Sequence, residues 1–403
     1  MKMKKLFMTL SIATLLGGVI SCSSTDVFDP TKADTSTTSL KVPADFNWAT
    51  TRGISCSLTT PVKSAIHIYK GKECRDDQLL VSTNLPANQA TEVSFELPTE
   101  CAAFYVQYPT ANGMKVLEQK VGATTRVDYS LVLSEAIEYV LENADCYGDF
   151  MSYMPAKGTY GTLMFEDQFP NLGDYDMNDF VAGYYIEAVG SNGTASTLEG
   201  CDIYLQIRAI GGSYPYRLCV ELPVFASDIA DNGNTFYKVE SDNSAITAEL
   251  LTSGEQKAIF AINGTTSLKE GSFFNTEEAS TKAMPTLHIE IRRDNQDEVY
   301  RSARFQSIVW DAYACNFFLQ NTSTRQEIHL RGYETTALAS NPGAKFASSN
   351  NLVWGIKVPK LIAHPKERID ITKAYPKFAG WVTSGGNQNT DWYETSTGDD
   401  VIK

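Results

Sequence analysis

Basic residues are in short supply in this 403-residue sequence. Lysine and arginine together number 34, against 48 aspartate and glutamate residues, which gives a formal net charge of −14 at pH 7. Proteins that bind nucleic acid, or that adsorb to anionic lipid through charge, need a basic surface. The balance therefore argues against nucleic acid as a partner. The excess of acid is compatible with bound divalent cations and equally with solubility alone.

Catalytic signatures are missing too. The sequence has no Gly-x-Ser-x-Gly elbow, no His-Glu-x-x-His motif and no phosphate-binding loop. We therefore expect no catalytic residues and no enzyme. The alternative is a hydrolase in which Glu166 pairs with a nearby aspartate, although such pairs usually face each other across a cleft. Histidine is scarce, and each of the four is interpreted as structural: His67, His288, His329 and His364.

Apolar runs of transmembrane length are also lacking. A bilayer takes ~20 consecutive apolar residues, whereas the run at 6–20 is shorter and is interrupted by small polar residues. Because it follows the positive start Lys2, Lys4 and Lys5, it predicts a secretory signal peptide over residues 1–21. We expect no later segment to cross a membrane.

The signal ends in Val19-Ile20-Ser21-Cys22. An aliphatic residue three positions before the cysteine, and a small residue directly before it, resemble the lipobox cut by the lipoprotein signal peptidase. The resemblance implies that Cys22 is lipidated and that its acyl chains anchor the protein to a membrane. Several chains give stable anchoring, at ~0.8 kcal/mol per buried methylene. The alternative is an ordinary cleaved signal with a chance cysteine.

The other cysteines do not form a recognisable framework. There are eight in total and no Cys-x-x-Cys pair. With Cys22 lipidated, an odd number remains, which cannot all pair. Cys56 alternates with Ile54 and Leu58 and is therefore interpreted as a small core residue. We expect no disulfide framework, although an exported protein would permit a bridge.

Residues 22–44 are rich in serine, threonine, aspartate and proline, with Phe28 as the only aromatic residue. Such a segment buries too little apolar surface to order itself. It predicts a flexible tether of roughly 25 Å that lifts the folded part away from the lipid headgroups. The expected location is the cell envelope, at the outer membrane. Asp26 and Asp29 are compatible with display on the cell surface.

Residues 45–133 predict a small immunoglobulin-like β-sandwich. Short strands separated by turns at this spacing are typical of that fold. Asn112-Gly113, which precedes the strand-like run 114–119, is a hairpin signal. Apolar and polar residues alternate with a period of two in four runs, at 54–58, 65–69, 93–97 and 104–108.

Residues 134–157 are predicted to connect this domain to a larger β-sandwich at 158–396. Ser134 and the apolar spacing after it predict a helix over 134–143. The polar stretch 226–285 is interpreted as an insertion, and the spacing over 371–382 predicts a short helix despite Pro376. The all-β assignment of the larger domain rests on strand-like runs at 160–165, 180–189, 202–210, 216–222, 245–251, 258–262, 287–291, 305–310, 317–320, 327–330 and 352–358.

An acidic and aromatic stretch at 165–180 carries a family resemblance. It contains Phe165-Glu166-Asp167 and then Gly173-Asp174-Tyr175-Asp176-Met177-Asn178-Asp179-Phe180, and it resembles the entry to the LruC domain of bacterial lipoproteins and exported proteins. The resemblance covers about 158–396 and implies an envelope address and a sandwich fold, but no reaction. Later segments agree with it in order: 317–319 with 325–330, 352–356, 371–378, Trp381, 384–386 and 391–393, together with 46–51 before the domain.

The same stretch has the residue types of a calcium site. Alternating Asp174, Asp176 and Asn178 match the first ligand positions of an EF-hand loop, but Asp179 stands where that loop needs glycine. A Ca²⁺ site here is therefore not an EF-hand and needs ligands from Glu166, Asp167 or Asp179, or from backbone carbonyls. Mg²⁺ is less favoured because it keeps its waters. The alternative is that these side chains accept backbone N–H bonds in tight turns.

Aromatic residues near polar amides offer a possible ligand-binding surface. Trp392 and Tyr393, after the polar stretch 384–391, are the candidate ligand-binding residues, with an extracellular glycan or protein as the ligand. The alternative is that their rings cover the sandwich core. The predicted function is thus a non-enzymatic envelope lipoprotein with an adhesive, scaffolding or ligand-binding role. A carbohydrate-binding accessory protein or a glycan-processing enzyme is the alternative.

Overall fold

The computed structural model describes residues 36–122, 126–140, 150–192, 196–231, 233–291, 310–311 and 314–403. In these ranges, no helix is both long enough and apolar enough to span a membrane. The predicted signal peptide, the predicted lipidation site Cys22 and residues 305–309 of the predicted strand at 305–310 lie outside the described residues.

Strands are the main regular structure of the described residues. The first part of the chain contributes β1 (Thr51–Thr59), β2 (Ser64–Tyr69), β3 (Leu79–Leu85), β4 (Thr91–Pro98), β5 (Ala103–Thr110), β6 (Gly113–Lys120), β7 (Arg126–Val132) and β8 (Phe150–Met154). The strands that follow are β9 (Gly161–Phe165), β10 (Phe180–Asn192), β11 (Ser196–Ala209), β12 (Tyr216–Phe225), β13 (Ala230–Asp231), β14 (Asn234–Thr235), β15 (Tyr237–Ser241), β16 (Thr247–Leu250), β17 (Lys257–Asn263), β18 (Thr286–Ile291), β19 (Asn316–Asn321), β20 (Glu327–His329), β21 (Gly355–Val358), β22 (His364–Pro365) and β23 (Val401–Ile402).

Among the described residues, helices are few and short. The α-helices there are α1 (Ala226–Ile229), α2 (Ile371–Ala374) and α3 (Phe378–Thr383). The predicted helix over 371–382 is therefore split into two at Pro376, as expected from the missing N–H of proline. Single 3₁₀ turns occur at Thr37–Ser39, Asp76–Gln78, Thr265–Leu268 and Trp392–Glu394.

Three sheets build two sandwiches, which confirms the all-β fold. An eleven-stranded sheet runs in the order β15-β18-β11-β10-β8-β3-β2-β5-β6, with β9 pairing β10 and β21. The three-stranded sheet β4-β1-β7 packs against its β2, β3 and β5 end through side chains such as Phe95 and Phe104. The five-stranded sheet β16-β17-β12-β19-β20 packs against its β10, β11 and β18 end through side chains such as Leu205 and Phe260.

The two sandwiches share the long sheet through β8, a strand inside the predicted connector. In β8, Ser152 lies opposite Val81 of β3, and Met154 lies opposite Ile186 of β10. Both residues of β8 are buried. The sheet hydrogen bonds therefore continue from one sandwich into the other.

Two local predictions were wrong. Residues 134–140 form no helix but a turn followed by isolated bridges, in which the Tyr139 carbonyl accepts a hydrogen bond from Ala65 N–H at 2.7 Å; residues 141–143 lie outside the described ranges. Pairing with β2 thus overrides the helical spacing. The stretch 226–285 is not an insertion, because it supplies β15 to the long sheet and β16 and β17 to the five-stranded sheet.

Residues 36–48, here called the strap, lie against the larger sandwich. Thr37 is buried and bonded to Asp370, and Phe46 and Trp48 pack on Trp381 of α3. The part of the predicted tether at 36–44 is therefore held by specific contacts rather than flexible. The sequence did not predict these contacts, because the residues that hold the strap, such as Asp370 and Trp381, lie more than 300 positions later.

Candidate metal centre

Glu166 follows β9 directly and is fully buried, with 0% of its surface exposed. Its backbone N–H donates to Trp354 O at 2.9 Å, which extends the β9–β21 pairing by one residue. Carboxylate Oε1 accepts the Met177 N–H at 2.7 Å, whereas Oε2 has no hydrogen-bond partner. A Cβ at Gly173 would collide with Oε2, so the close approach of the turn to this carboxylate requires glycine.

The turn after Gly173 brings two aspartates to Glu166. Gly173, Tyr175 and Met177 all have positive φ, and they alternate with Asp174 and Asp176. Left-handed backbone costs ~1 kcal/mol or more at a residue other than glycine, and it is held here by the complete burial of Tyr175 and Met177. One carboxylate oxygen from each of Glu166, Asp174 and Asp176 lies within 4.8 Å of the other two.

Asp176 is buried and is held from two sides. Its Oδ1 accepts Asn178 N–H at 3.0 Å, and its Oδ2 accepts Arg368 N–H at 2.7 Å. Burial and the neighbouring Asp174 carboxylate raise the pKa of Asp176 to about 8. Asp174 itself is exposed and lies on the solvent side of the cluster.

Within the described residues, the cluster has no basic partner. Among the residues that the structure describes, no lysine, arginine or histidine lies within 4.0 Å of the carboxylates of Glu166, Asp174 or Asp176. Burial and the carboxylates of the neighbouring aspartates therefore raise the pKa of Glu166 well above its ordinary value. Either a proton or a cation must balance this charge.

The other three predicted metal ligands make hydrogen bonds with backbone groups. Asp179 Oδ2 accepts the Asp167 N–H at 2.7 Å, and Asp167 Oδ2 accepts the Tyr214 N–H at 2.8 Å. Burial and the Asp167 carboxylate raise the pKa of Asp179 to about 9. The Asn178 side chain donates to Pro365 O at 3.2 Å. These contacts are the turn-type hydrogen bonds that the sequence left open as an alternative.

The segment 365–370 is the part of the site that sequence reasoning missed. It supplies the Arg368 N–H to Asp176, and Ile371 N–H donates to Tyr175 O at 2.9 Å. Glu367 approaches the same turn, since its Oε2 and the Asn178 Oδ1 both flank Gly211. No signal near residue 175 could have found these contacts, because they come from almost 200 positions later.

The candidate ligand-binding residues are buried. Trp392 is 0% exposed and stacks edge-on against Phe378, while Tyr393 is 3% exposed and donates its hydroxyl to Glu100 at 2.5 Å. Their rings are part of a buried apolar cluster with Phe378 and Trp381, which agrees with the core-covering alternative left open for them. Neither ring is available to a glycan in this structure.

The comparisons with known proteins point to domains without an assigned activity. A domain of unknown function, DUF4842, matches residues 197–393, and a second, DUF4841, matches residues 64–133. The chain is also similar to the crystal structure of a candidate lipoprotein from Bacteroides ovatus, with a TM-score of 0.58 and 20% identity, over 85% of this chain and 100% of that one. At this identity the likeness shows a shared fold. No curated protein matches the chain.

Proposed function

We propose that this chain is a lipid-anchored protein of the bacterial cell envelope, at the outer membrane, with a non-enzymatic adhesive, scaffolding or ligand-binding role. In this proposal calcium stabilises the larger sandwich. The observation that carries it is the strap. The chain that follows the lipidation motif at Cys22 is fixed to the body from Thr37 onward, so an acyl anchor would hold the sandwiches close to the membrane.

The similar fold of the Bacteroides ovatus protein supports this address, because that protein is described as a lipoprotein. The LruC-type resemblance supports it as well, since its span of about 158–396 overlaps the matched domain at 197–393. Both point to an exported protein of the envelope and neither points to a reaction.

The positions of the histidines support a non-enzymatic role. His329 and His364 are fully buried and bonded to Glu327 and to Asn275 O, respectively. His288 bonds to Asp202 at 2.8 Å. Each ring therefore has a structural partner.

Fatty-acid labelling of the full-length protein in a Gram-negative host tests the anchor. We expect label on the wild-type protein and sedimentation with outer membranes, and neither for Cys22→Ser. An unlabelled wild-type protein, or a Cys22→Ser variant that still sediments with membranes, would contradict the proposal. Protease treatment of intact cells then separates a surface adhesin, which is cleaved, from a periplasmic scaffold, which is protected.

A glycan-binding accessory role is the second candidate, and one observation favours it. Tyr204 stacks on His288 at 4.3 Å and on Tyr185 at 5.7 Å, beside an open groove of about 720 Å³ lined by Glu240 and Asp242. Aromatic rings and carboxylates can hold sugars. Binding to a glycan array that Tyr204→Ala abolishes would favour this role, and a blank array would remove it. Product release abolished by Glu166→Gln would instead indicate a glycan-processing enzyme.

A further inference from the structure

We infer that Glu166, Asp174 and Asp176 are the side-chain ligands of one Ca²⁺ and that Glu166 Oε2 is its buried ligand atom. The inference rests on the proposed role of calcium and assigns its site. It also excludes two acidic-turn residues from the ligand set: Asp167 and Asp179.

The first argument is the unpartnered oxygen. Glu166 is 0% exposed, its Oε1 is bonded to Met177 N–H, and its Oε2 faces the Gly173–Asp174 turn with no donor. A buried polar atom without a partner costs several kcal/mol. Each oxygen of Asp176 already accepts one backbone N–H. These bonds hold the carboxylate in place but do not neutralise the negative charge of the cluster.

The second argument is distance and ligand type. Two oxygens bound to one Ca²⁺ at about 2.3–2.6 Å lie at most about 5 Å apart. The oxygens of Glu166, Asp174 and Asp176 lie within 4.8 Å of one another. All three ligands are carboxylates, which select a hard cation over Zn²⁺ or Cu²⁺. The exposed Asp174 leaves one side open to the waters that complete six to eight ligands.

The third argument is what the neighbouring residues already do. The Asp179 carboxylate holds the Asp167 N–H, and the Asp167 carboxylate holds the Tyr214 N–H. Moving either of these carboxylate oxygens to a metal would break a partly buried backbone hydrogen bond. They therefore shape the turn and serve as matched controls.

Calorimetric titration of CaCl₂ into the full-length protein in detergent tests the assignment. We expect one ion per chain for the wild type, loss of binding for Glu166→Gln, and retained binding for Asp179→Asn. Glutamine keeps an acceptor for Met177 N–H, so the Glu166→Gln fold should persist, as circular dichroism would show. If Glu166→Gln misfolds, Asp174→Asn at the exposed ligand replaces it and should weaken binding at least tenfold.

The outcomes separate two failures. A wild-type protein that gives no heat and no shift in melting temperature with Ca²⁺ overturns both the proposed role of calcium and this site. Binding that survives Glu166→Gln, that Asp174→Asn weakens less than tenfold, or that Asp179→Asn alone abolishes, overturns only this ligand assignment.

Discussion

Thr37 and Asp370 form a paired hydrogen bond across 333 positions of sequence. The Thr37 N–H donates to Asp370 Oδ2 at 2.8 Å, and the Thr37 hydroxyl donates to Oδ1 at 2.9 Å. The same Oδ1 accepts Thr372 N–H at 2.9 Å and so caps α2. One carboxylate therefore holds both the strap and the helix that follows the candidate metal centre.

Removing this carboxylate should release the strap. We expect Asp370→Ala to lower the free energy of unfolding by about 2 kcal/mol, because it deletes a helix cap and charge-assisted hydrogen bonds. Thr37→Val should cost about 1 kcal/mol. Chemical denaturation measures both, and hydrogen exchange at 37–40 should speed up in each. Thr38→Val, at an exposed neighbour, should change the free energy of unfolding by less than ~0.5 kcal/mol. Equal effects at 37 and 38 would contradict the role of the Thr37–Asp370 pair in holding the strap.

A second prediction concerns Glu327, a buried carboxylate with four donors. It accepts bonds from His329 Nε2 at 2.9 Å, from Gln320 Nε2 at 3.3 Å, and from the N–H and hydroxyl of Thr336 at 2.8 and 2.6 Å. Glu327→Gln should cost about 3 kcal/mol, because an amide NH₂ replaces a buried carboxylate oxygen that accepts hydrogen bonds. The same change at exposed Glu334 is the control and should be almost neutral.

The cost at Glu327 should also depend on pH. Burial alone would raise the pKa of Glu327, but the bonds from His329 and Thr336 hold it below its ordinary value. The stability it contributes is present above the unfolded-state pKa of ~4.3 and is lost as pH falls further. The difference between wild type and Glu327→Gln should therefore shrink below pH 4. A difference that does not change with pH would argue against a charged Glu327.

His364 gives a third prediction at a higher pH. Its ring donates to Asn275 O at 2.6 Å, and burial lowers the pKa of His364 to about 4. An unfolded histidine binds its proton near pH ~6.5, so stability falls as pH drops from there towards 4, by about 3 kcal/mol. Urea denaturation of wild type and His364→Gln over this range should show the variant without that loss. Parallel curves would contradict it.

A fourth prediction separates steric conflict from backbone strain. Gly264 and Gly271 both have positive φ, 83° and 76°, but a Cβ at Gly264 would collide with Ala245 O, whereas one at Gly271 meets nothing within 4 Å. Gly264→Ala should cost at least ~3 kcal/mol and Gly271→Ala only ~1 kcal/mol. Thermal unfolding of the two variants measures the difference. Similar melting temperatures would contradict the steric conflict between a Cβ at Gly264 and Ala245 O.

Alternation predicted strands where one face of a strand is less buried than the other. In β1, residues Cys56 and Leu58 are buried while Ser55 and Ser57 are less so, and this pattern is readable. Every residue of β3 is buried, so alternation disappears, and the runs that alternation identified do not include this strand. The Asn112-Gly113 hairpin was found because its signal is local, and Thr110 pairs with Gly113 as expected.

The candidate metal centre was only partly readable for a similar reason. Spacing placed Asp174 and Asp176 together, because two positions along a turn are a local relation. The hydrogen bonds of Asp167 and Asp176 were not readable, since their donors are the N–H groups of Tyr214 and Arg368, which arrive from distant loops. Sequence spacing therefore identified the acidic turn but not which of its carboxylates remain without a hydrogen-bond donor.

Anomalous diffraction from crystals grown with Ca²⁺ tests the account most directly. The account predicts one peak bonded at about 2.3–2.6 Å to Glu166 Oε2 and to oxygens of Asp174 and Asp176. A well-ordered cluster with no peak, in which Glu166 Oε2 lies at hydrogen-bonding distance from one of these aspartates and shares a proton with it, would contradict it.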